Sequence, residues 1–367
     1  MLFCTLGLAV LLFAPQATPL PQMEYWTADW RTALLSDRAG ALHPRVAVVV
    51  VDDTTLESYP YLSPTDRGLI AELVLALDLA KAAVIGLDFL FIKETEKDKD
   101  AALILALQPD ATKQKIVLGV ADDRVSLTSG QRAFQKRYLS KIDRPKGYLN
   151  LLIDSDEVIR YKPRPATVPD SFAEAIVRAA GLQPTGTTRI AWLLGPDGKS
   201  PFPVVRAEAL IAAARNPASG SDILATIAGR IVLVGVDRPF QDQFSTPLGV
   251  RSGDRMSGVF VHAQMVAETV DGRRVSELTR EQARMLVLGM WLTGCVLSWL
   301  ASRHGFGFAR WTLGTILFVA IDVLLFYRWR LVLPFTSGMA AWVLGVTAGQ
   351  FMREISFQPA ARSGGAP

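Results

Sequence analysis

Hydrophobic residues are distributed unevenly along this chain, and the longest apolar segments lie close to its C-terminus. A shorter segment occupies residues 2–14, and three longer ones occupy residues 285–302, 311–327 and 331–352. A helix that crosses the roughly 30 Å hydrocarbon core of a bilayer needs about 20 apolar residues. The pattern therefore predicts three transmembrane helices over residues 283–352 and a short, disordered cytoplasmic tail over residues 353–367.

The N-terminal apolar segment is short for a membrane span. As a helix it would extend only about 20 Å, at about 1.5 Å per residue. No Lys or Arg occurs before Arg31, and the small residues Ala14 and Ala17 form a poor signal-cleavage pattern. We therefore predict a membrane anchor over residues 1–20 whose beginning is incomplete; a plain signal segment or a misassigned start is the alternative.

The region between these apolar ends alternates short β-branched runs with helical patterns. Four runs have the length and composition of buried strands, at residues 46–51, 84–87, 116–120 and 231–236. After the first run, Ser63 and Pro64 fit an N-cap and a first helical position, so a helix is predicted to start there. Continuous apolar strands separated by helices are typical of parallel sheets that are covered on both faces. The predicted fold is an α/β domain over residues 24–278, with a mainly parallel sheet, flanking helices and an inserted β-hairpin.

The inserted hairpin is predicted at residues 149–161, where two apolar runs flank an acidic turn. Asp154 and Asp156 have the spacing of the first ligands of a calcium loop. Ile159 and Pro165 occupy the positions where that loop needs Gly and Glu. The sequence therefore argues against calcium binding at this turn.

Composition indicates that the chain has a membrane part and a folded polar part, and it limits the classes of molecule that the chain could bind. Hydrophobic residues make up 50% of the chain and charged residues 20%, so a membrane part and a folded polar part share it. The net charge of +4 comes from scattered basic residues, which excludes a nucleic-acid-binding arm and favours mild attraction to the lipid bilayer. Cys4 and Cys295 both lie in apolar segments, so no disulfide framework is expected.

Acidic residues follow three of the predicted strands. Asp52 and Asp53 follow the first, Asp88 follows the second, and Asp242 lies shortly after the last. Ligands bind at the carboxyl edge of open parallel sheets. We therefore predict a ligand site at this edge, with six candidate residues: Asp52, Asp53, Asp88, Asp242, Arg67 and Arg160.

Other interpretations of these residues remain open. Acids after strands also cap helices or stabilise turns, and Asp88 could be a buried acid that pairs with Arg67 or Arg160. Asp52, Asp88 and Asp242 are a chemically reasonable set of divalent-metal ligands, although no spacing supports it. The sequence specifies no cofactor.

Catalytic motifs are absent from the sequence. It contains no hydrolase elbow, phosphate-binding loop, dinucleotide-binding fingerprint or zinc-protease motif. His262, on an amphipathic helix, fits a core or interface position better than that of a catalytic base. The chain is therefore not expected to be an enzyme, and a membrane-anchored, metal-dependent hydrolase is the least favoured interpretation.

Several of these segments follow one another in a recognisable order. They are residues 46–53, Asp66 with Arg67, 85–91, 147–150, 154–160, 229–235, Asp242 before Thr246 and Pro247, and 258–263. In this order they resemble the second CHASE family, whose name abbreviates cyclases/histidine kinases associated sensory extracellular. The resemblance covers residues 25–274 and continues through the C-terminal spans.

The resemblance implies a bacterial sensor that passes through the inner membrane several times, with its large domain extracytoplasmic. Basic residues flank the predicted spans almost evenly, so charge does not decide the orientation in the membrane. The resemblance supplies that orientation. Such sensors relay a stimulus to a cytoplasmic cyclase or kinase and can form homodimers. The sequence departs from the family pattern at Glu157, where the hairpin usually has glycine, and in a tail too short for an output module. We therefore expect an unidentified extracytoplasmic ligand and output through a separate cytoplasmic signalling protein.

Asp322 is the notable residue of the predicted spans, because an ionisable side chain at that depth is costly and normally contacts protein or water. We predict that it serves helix packing or a partner contact and couples the spans; reaching toward the interface is the alternative. For the large domain, a cleft containing the strand-end acids would favour sensing. An exposed apolar patch near Phe240 or Phe260 would favour a docking module of an envelope complex.

Overall fold

The computed structural model describes residues 2–122, 125–164, 167–300 and 307–356. It divides the chain into two compact units, each treated separately below. The helical unit combines Met1–Leu35 with Val275–Pro367, and the α/β unit is Ser36–Arg274. Pro165, the end of the first predicted span and most of the predicted tail lie outside the described residues.

The described residues contain thirteen α-helices. They are α1 (Leu2–Phe13), α2 (Leu20–Leu35), α3 (Asp53–Leu56), α4 (Arg67–Leu79), α5 (Lys97–Ala106), α6 (Ser129–Leu139), α7 (Phe172–Ala179), α8 (Ala207–Arg215), α9 (Ser221–Ile227), α10 (Gly258–Asp271), α11 (Arg280–Leu300), α12 (Gly307–Trp329) and α13 (Phe335–Ser356). Short 3-10 helices occur at Pro15–Ala17, Pro196–Gly198 and Pro247–Val250.

Six of the strands build one sheet in the α/β unit. The strands of the described residues are β1 (Asp37–Arg38), β2 (Val46–Val51), β3 (Val84–Leu87), β4 (Lys115–Val120), β5 (Lys146–Tyr148), β6 (Leu193–Leu194), β7 (Val204–Arg206), β8 (Ile231–Val236), β9 (Gln243–Ser245), β10 (Arg255–Ser257), β11 (Ser276–Glu277) and β12 (Leu331–Val332). The sheet order is β5-β4-β3-β8-β2-β7, and each of its pairings is parallel. The predicted α/β fold with a mainly parallel sheet is confirmed.

Both faces of this sheet are covered by helices. Ala47, Val49 and Val51 of β2 pack into the same core as the apolar face of α4. The alternate residues of β2 pack with Phe172 of α7 and Val259 of α10 on the other face. Successive side chains of a strand point to opposite faces, so a strand covered on both faces is apolar throughout.

The bounds of β2, β3 and β8 are those predicted, and β4 begins one residue early, at Lys115. The predicted start of α4 at Ser63 is wrong, because the helix begins at Arg67. Asp66 is its N-cap, and its Oδ1 accepts hydrogen bonds from the backbone N–H groups of Gly68 at 2.8 Å and Leu69 at 3.2 Å. This carboxylate satisfies first-turn donors, which fixes the start of the helix just after Asp66.

The inserted hairpin is present as a short antiparallel contact. Leu152 pairs with Tyr161 in an antiparallel bridge, and the backbone N–H of Asp154 donates to the carbonyl of Val158 at 3.1 Å. Glu157 has a φ of +64°, in the left-handed region that favours glycine. The turn therefore forms in spite of the departure at Glu157. Its backbone conformation is one that glycine adopts with less strain than a residue with a side chain.

In the helical unit, α11 and α13 approach each other closely along glycines. A Cβ on Gly294 would lie 2.8 Å from the carbonyl oxygen of Trp342. A Cβ on Gly345 or Gly349 would collide with the carbonyl oxygen of Trp291 or Cys295. Small residues let helix backbones pack at this distance, which is a common arrangement in membranes.

Two of the described helices are long and apolar enough to cross a membrane, Arg280–Leu300 and Trp311–Trp329. Phe3–Phe13 is apolar but shorter. The segment predicted as a third span starts differently, because Leu331–Val332 pairs with β11 and the helix begins at Phe335. The third C-terminal span and the N-terminal anchor stay predictions.

Candidate functional site

A cavity of about 460 Å³ opens at the carboxyl ends of β3 and β8 in the α/β unit. The segments that follow β3, β5 and β8 bound it, together with the segment before α4 and the first half of α10. Its polar lining residues are Ser63, Thr65, Arg67, Asp88, Asn150, Gln241, Asp242 and His262. Its size and its place at the carboxyl edge of a parallel sheet are those of a small-molecule site.

Asp88 lies inside this cavity, directly after β3. Its backbone N–H donates to the carbonyl of Val234 at 2.8 Å, which continues the pairing of β3 with β8 and fixes the side chain at the sheet edge. Its Oδ2 atom is buried and has no hydrogen-bond partner among the described residues. Burial and the neighbouring carboxyl group of Asp242 raise the pKa of Asp88 well above its usual range.

Asp242 lies at the mouth of the same cavity. Its φ is +55°, and a Cβ on Gly258 would lie 2.7 Å from its Oδ2, so the glycine at the start of α10 allows the carboxyl group to approach. The residue as a whole is exposed, but its carboxyl group lies against the Gly258 backbone, which partly desolvates it. This desolvation raises the pKa of Asp242 to about 6, against the lowering effect of a hydrogen bond from Gly258.

His262 faces the cavity from α10 and is 2% exposed. Its Nε2 lies 2.9 Å from the carbonyl oxygen of Leu149 and must donate to it, so Nδ1 carries a free lone pair. Nδ1 has no hydrogen-bond partner among the described residues. Burial lowers the pKa of His262 to about 4, which keeps the ring neutral at physiological pH.

Arg67 lines the cavity but is already engaged. Its Nε lies 3.4 Å from Oδ1 of Asp100, its Nη2 donates to the carbonyl of Lys93 at 3.4 Å, and its guanidinium lies 4.6 Å from the centre of the Phe91 ring. Desolvation lowers the pKa of Arg67. This arginine therefore supports the wall of the cavity and does not neutralise Asp88.

Arg160 is not part of the cavity lining. Its Nη1 contacts Asp154 at 2.9 Å and Asp156 at 2.8 Å, and its Nη2 contacts Asp156 at 2.6 Å. The acids of the hairpin turn therefore bind an arginine, and Arg160 lowers the pKa of Asp156. The alternative in which Asp88 pairs with Arg67 or Arg160 is wrong.

Asp52 and Asp53 do not line the cavity either. Asp52 is the N-cap of α3, and its Oδ1 accepts hydrogen bonds from the backbone N–H of Thr55 at 2.9 Å and from its hydroxyl at 2.8 Å. Asp53 forms an ion pair with Arg238. The capping and turn interpretation holds for these two acids, while Asp88 and Asp242 come together as the strand-end rule predicted.

A three-carboxylate metal site is not formed. No group of three or more His, Cys, Asp or Glu side chains in the described part of the chain is arranged to hold a metal ion. Asp52 is turned toward Thr55 instead of toward the two cavity acids. The set Asp52, Asp88 and Asp242 is therefore wrong as a metal centre.

Sequence reasoning missed Asn150 and the role of His262 in the lining. The buried Oδ1 of Asn150 has no partner among the described residues. Asn150 lies two residues after β5, a neighbour of β4 in the sheet, so the strand-end rule that selected the acids could also have selected it. His262 could have been found only from the direction in which α10 packs.

The docking alternative depends on apolar exposure. Phe240 is fully exposed, with a φ of +66°, two residues before Asp242. Phe260, by contrast, packs against the core that covers one face of the sheet. One of the two predicted apolar positions is therefore available on the surface.

In the helical unit, Asp322 has its partner within the chain. It forms a buried ion pair with Arg31 of α2, and Nη2 of Arg31 also donates to the carbonyl of Leu333 at 3.3 Å. Arg31 lies 5.9 Å from the ring centre of Phe335. This geometry fits the helix-packing interpretation of Asp322.

The chain matches the model of one known protein family. The model of the CHASE2 domain matches residues 4–301, which is more than half of the chain. No curated protein and no solved structure matches it. The resemblance carried by the order of sequence segments is therefore confirmed, and the chain belongs to the CHASE2 domain family.

Proposed function

We propose that this protein is a membrane-bound sensor whose stimulus is a small molecule that binds in the cavity at the sheet edge. The observation that carries the proposal is the buried, unpartnered carboxyl oxygen of Asp88 inside a cavity of about 460 Å³. Leaving a buried polar group without a partner costs about 1–3 kcal/mol, so such groups need an explanation. A ligand that completes their hydrogen bonds is the explanation that fits a sensory domain family.

We further propose that the α/β unit is extracytoplasmic, that the chain passes several times through the inner membrane, and that it acts on a cytoplasmic protein of the cyclase or kinase type. Two helices apolar enough to span a bilayer support the membrane location. Membership of a sensory family supports the relay. Membership of a sensory family also fits the expectation that the chain is not an enzyme, so no catalytic step is included.

The test is the melting temperature of the full chain in lipid nanodiscs against a panel of metal ions and small metabolites. A ligand at 100 times its dissociation constant stabilises a protein by about 2.7 kcal/mol, which a melting curve resolves. The double variant Asp88→Asn/Asp242→Asn removes the cavity acids, and the matched control Asp52→Asn/Asp53→Asn changes acids at the same edge outside the cavity. We expect a shift in the native and control proteins that is absent from the cavity variant.

A second candidate function is a docking module, and the full exposure of Phe240 favours it. If no compound shifts the melting temperature and the cavity variant melts like the native protein, this candidate replaces the sensor. It predicts that Phe240→Ser reduces self-association or association with an envelope protein. Light scattering of the native and variant proteins in nanodiscs measures the homodimer directly.

A further inference from the structure

Four buried side-chain atoms of the cavity lining have no hydrogen-bond partner in the part of the chain that the structure describes. One is a donor, Nε of Arg67, which lies 3.4 Å from Oδ1 of Asp100, and the other three are acceptors. Nδ1 of His262 accepts, because Nε2 of the same ring donates to Leu149. The other two acceptors are the buried Oδ1 of Asn150, an amide oxygen, and Oδ2 of Asp88, which accepts when its carboxyl group is ionised. A ligand that satisfies this lining must therefore bring several N–H or O–H donors.

The cavity lining also contains more acidic than basic side chains. Asp88 and Asp242 both line the cavity, and no Lys or Arg in the described part of the chain pairs with either. Arg67, the cationic side chain of the lining, is held by Asp100 and by the carbonyl of Lys93. A bound cation would stabilise the ionised form of both carboxyl groups, whereas a bound anion would destabilise it.

The rest of the wall is apolar. Phe89, Leu90 and Ile92 follow Asp88 along the chain, and Leu151 and Phe244 add to the same lining. These side chains suit a hydrocarbon or aromatic body, and a bare metal ion would leave them without a contact. Two carboxyl groups are also fewer ligands than a protein normally supplies to a divalent cation.

We propose that the cavity binds a small organic amine, with its ammonium group between Asp88 and Asp242 and its apolar body against the Phe89 and Phe244 side of the wall. An ammonium group has three N–H donors, enough for the two carboxyl groups and one of the neutral acceptors. Hydrogen bonds between charged partners are about twice as strong as neutral ones, so the charge selects an amine over an alcohol of the same shape. This inference rests on the proposed function, because it names the ligand class of the same cavity.

The experiment uses the full chain in lipid nanodiscs and three matched probes with the same apolar body: benzylamine, benzyl alcohol and benzoate. n-Butylamine and 1-butanol form a second pair without the ring. Calorimetric titration and melting temperature report binding. We expect the amines to bind and to raise the melting temperature, and the alcohols and the carboxylate to bind at least about tenfold more weakly.

Variants locate the site. Asp88→Asn should weaken amine binding at least about tenfold, since an ion pair becomes a neutral hydrogen bond. Asp242→Asn, at the exposed mouth, tests the same contact in case Asp88→Asn does not fold. Asp53→Asn, whose acid pairs with Arg238 outside the cavity, should bind as the native protein does.

The outcomes distinguish failure of the amine inference from failure of the proposed sensor function. Equal binding of amine and alcohol, binding of benzoate alone, or amine binding unaffected in Asp88→Asn and Asp242→Asn overturns the amine inference and leaves a small-molecule sensor standing. A folded protein that binds neither these probes nor any compound of the metabolite panel overturns the sensor function as well.

Discussion

Helix α10 carries three buried polar side chains, and two of them, Glu268 and His262, have sharply different surroundings. Glu268, in the last turns of the helix, is 0% exposed and accepts four hydrogen bonds, from Lys162 Nζ at 2.7 Å, Thr185 Oγ1 at 2.9 Å, Thr187 Oγ1 at 3.0 Å and the Ala191 N–H at 3.0 Å. His262, in the first half of the helix, keeps Nδ1 without a partner beside the cavity that holds Asp88.

This difference fits a structural role for Glu268 and the proposed ligand site beside His262. Both side chains are removed from water by the same helix packing, so the sequence could have supplied partners to both. Glu268 has four hydrogen-bond partners, whereas Nδ1 of His262 and Oδ2 of Asp88 have none within the described ranges. Polar networks that are fully satisfied rigidify a fold, whereas unsatisfied groups concentrate where a ligand completes them.

The largest effect is expected from Glu268→Ala. This change leaves Lys162, which is nearly buried, without its counter-ion and removes the acceptor of two threonine hydroxyls and one backbone N–H. Breaking a buried ion pair from one side typically costs about 3–5 kcal/mol. Thermal unfolding of the full chain should show a large loss of stability, and replacing the exposed Glu94 by Ala is the control. If both variants melt alike, the ion pair and the hydrogen bonds of Glu268 do not stabilise the fold as expected.

The next effect concerns a carboxyl group of the helical unit. Asp322 resembles Glu268 in having an internal partner, Arg31. Arg31→Leu should destabilise the protein by about 2 kcal/mol, less than Glu268→Ala, because polar groups of an unfolded chain in a membrane also find partners. Replacing both residues by Leu removes the unpaired charge and should restore most of the melting temperature. If the double variant is as unstable as the single one, the pair has a role beyond mutual neutralisation.

Sequence patterns predicted four of the six strands of the sheet, β2, β3, β4 and β8, because these strands are buried on both faces. The two strands at the edges, β5 and β7, have three residues each and were not predicted. Val46–Val51 and Ile231–Val236 are apolar throughout, and no competing signal interrupts either run. The start of α4 was misplaced because Ser63 and Pro64 carry a helix-start signal three residues before Asp66, the residue whose carboxylate forms the cap. Local propensity predicted a helix there, and only the side-chain geometry of Asp66 decides its first residue.

For the site, the strand-end rule located Asp88 and Asp242 but did not tell them from Asp52 and Asp53. All four acids follow strands of one sheet. They differ in their partners: Asp52 finds one three residues along the chain, whereas Asp53 finds one far away, Arg238. A capped acid could be suspected from the nearby threonine, but the distant ion pair depends on how the loops meet in three dimensions.

A smaller effect is expected from pH on amine binding. Asp242 has a pKa of about 6 in the folded protein, so it becomes protonated as the pH falls below that value. The cation binds the ionised carboxyl group, and the affinity should therefore fall as the pH decreases, by about tenfold for each unit below the pKa. The other groups that face the site are Asp88, the engaged Arg67 and the neutral His262, whose pKa of about 4 keeps it uncharged over this range.

Calorimetric titration of benzylamine between about pH 7 and about pH 5 measures this dependence. Titrations in buffers of different ionisation enthalpy should also show release of a proton on binding. Asp242→Asn should remove the part of the dependence that is centred near pH 6 and leave the part that comes from deprotonation of Asp88. A profile identical to that of the native protein would assign the titration to another group and break the link between Asp242 and the ligand.

The smallest effect is a gain in stability from Asp88→Asn. Burial beside Asp242 raises the pKa of Asp88, so the folded protein keeps this proton up to a higher pH than the unfolded chain does. A raised carboxyl pKa costs stability at pH values above the unfolded pKa, and the cost disappears below it, where both states are protonated. Asparagine has the shape of the protonated acid without this cost, and we expect a gain of about 1 kcal/mol near pH 7.

Melting curves of the native protein and Asp88→Asn, recorded in parallel from neutral to acidic pH, check this prediction. The gain should shrink as the pH approaches the unfolded value of about 4 and vanish below it. Glu268→Gln should lose stability instead, because its carboxylate is bonded on every side. The two isosteric changes should therefore affect stability in opposite directions. The amide is tolerated where the carboxyl group is kept for a ligand, and it is costly where the carboxyl group stabilises the fold. A destabilised Asp88→Asn would place Asp88 with Glu268, as part of the scaffold, and remove the reason to look for a ligand beside it.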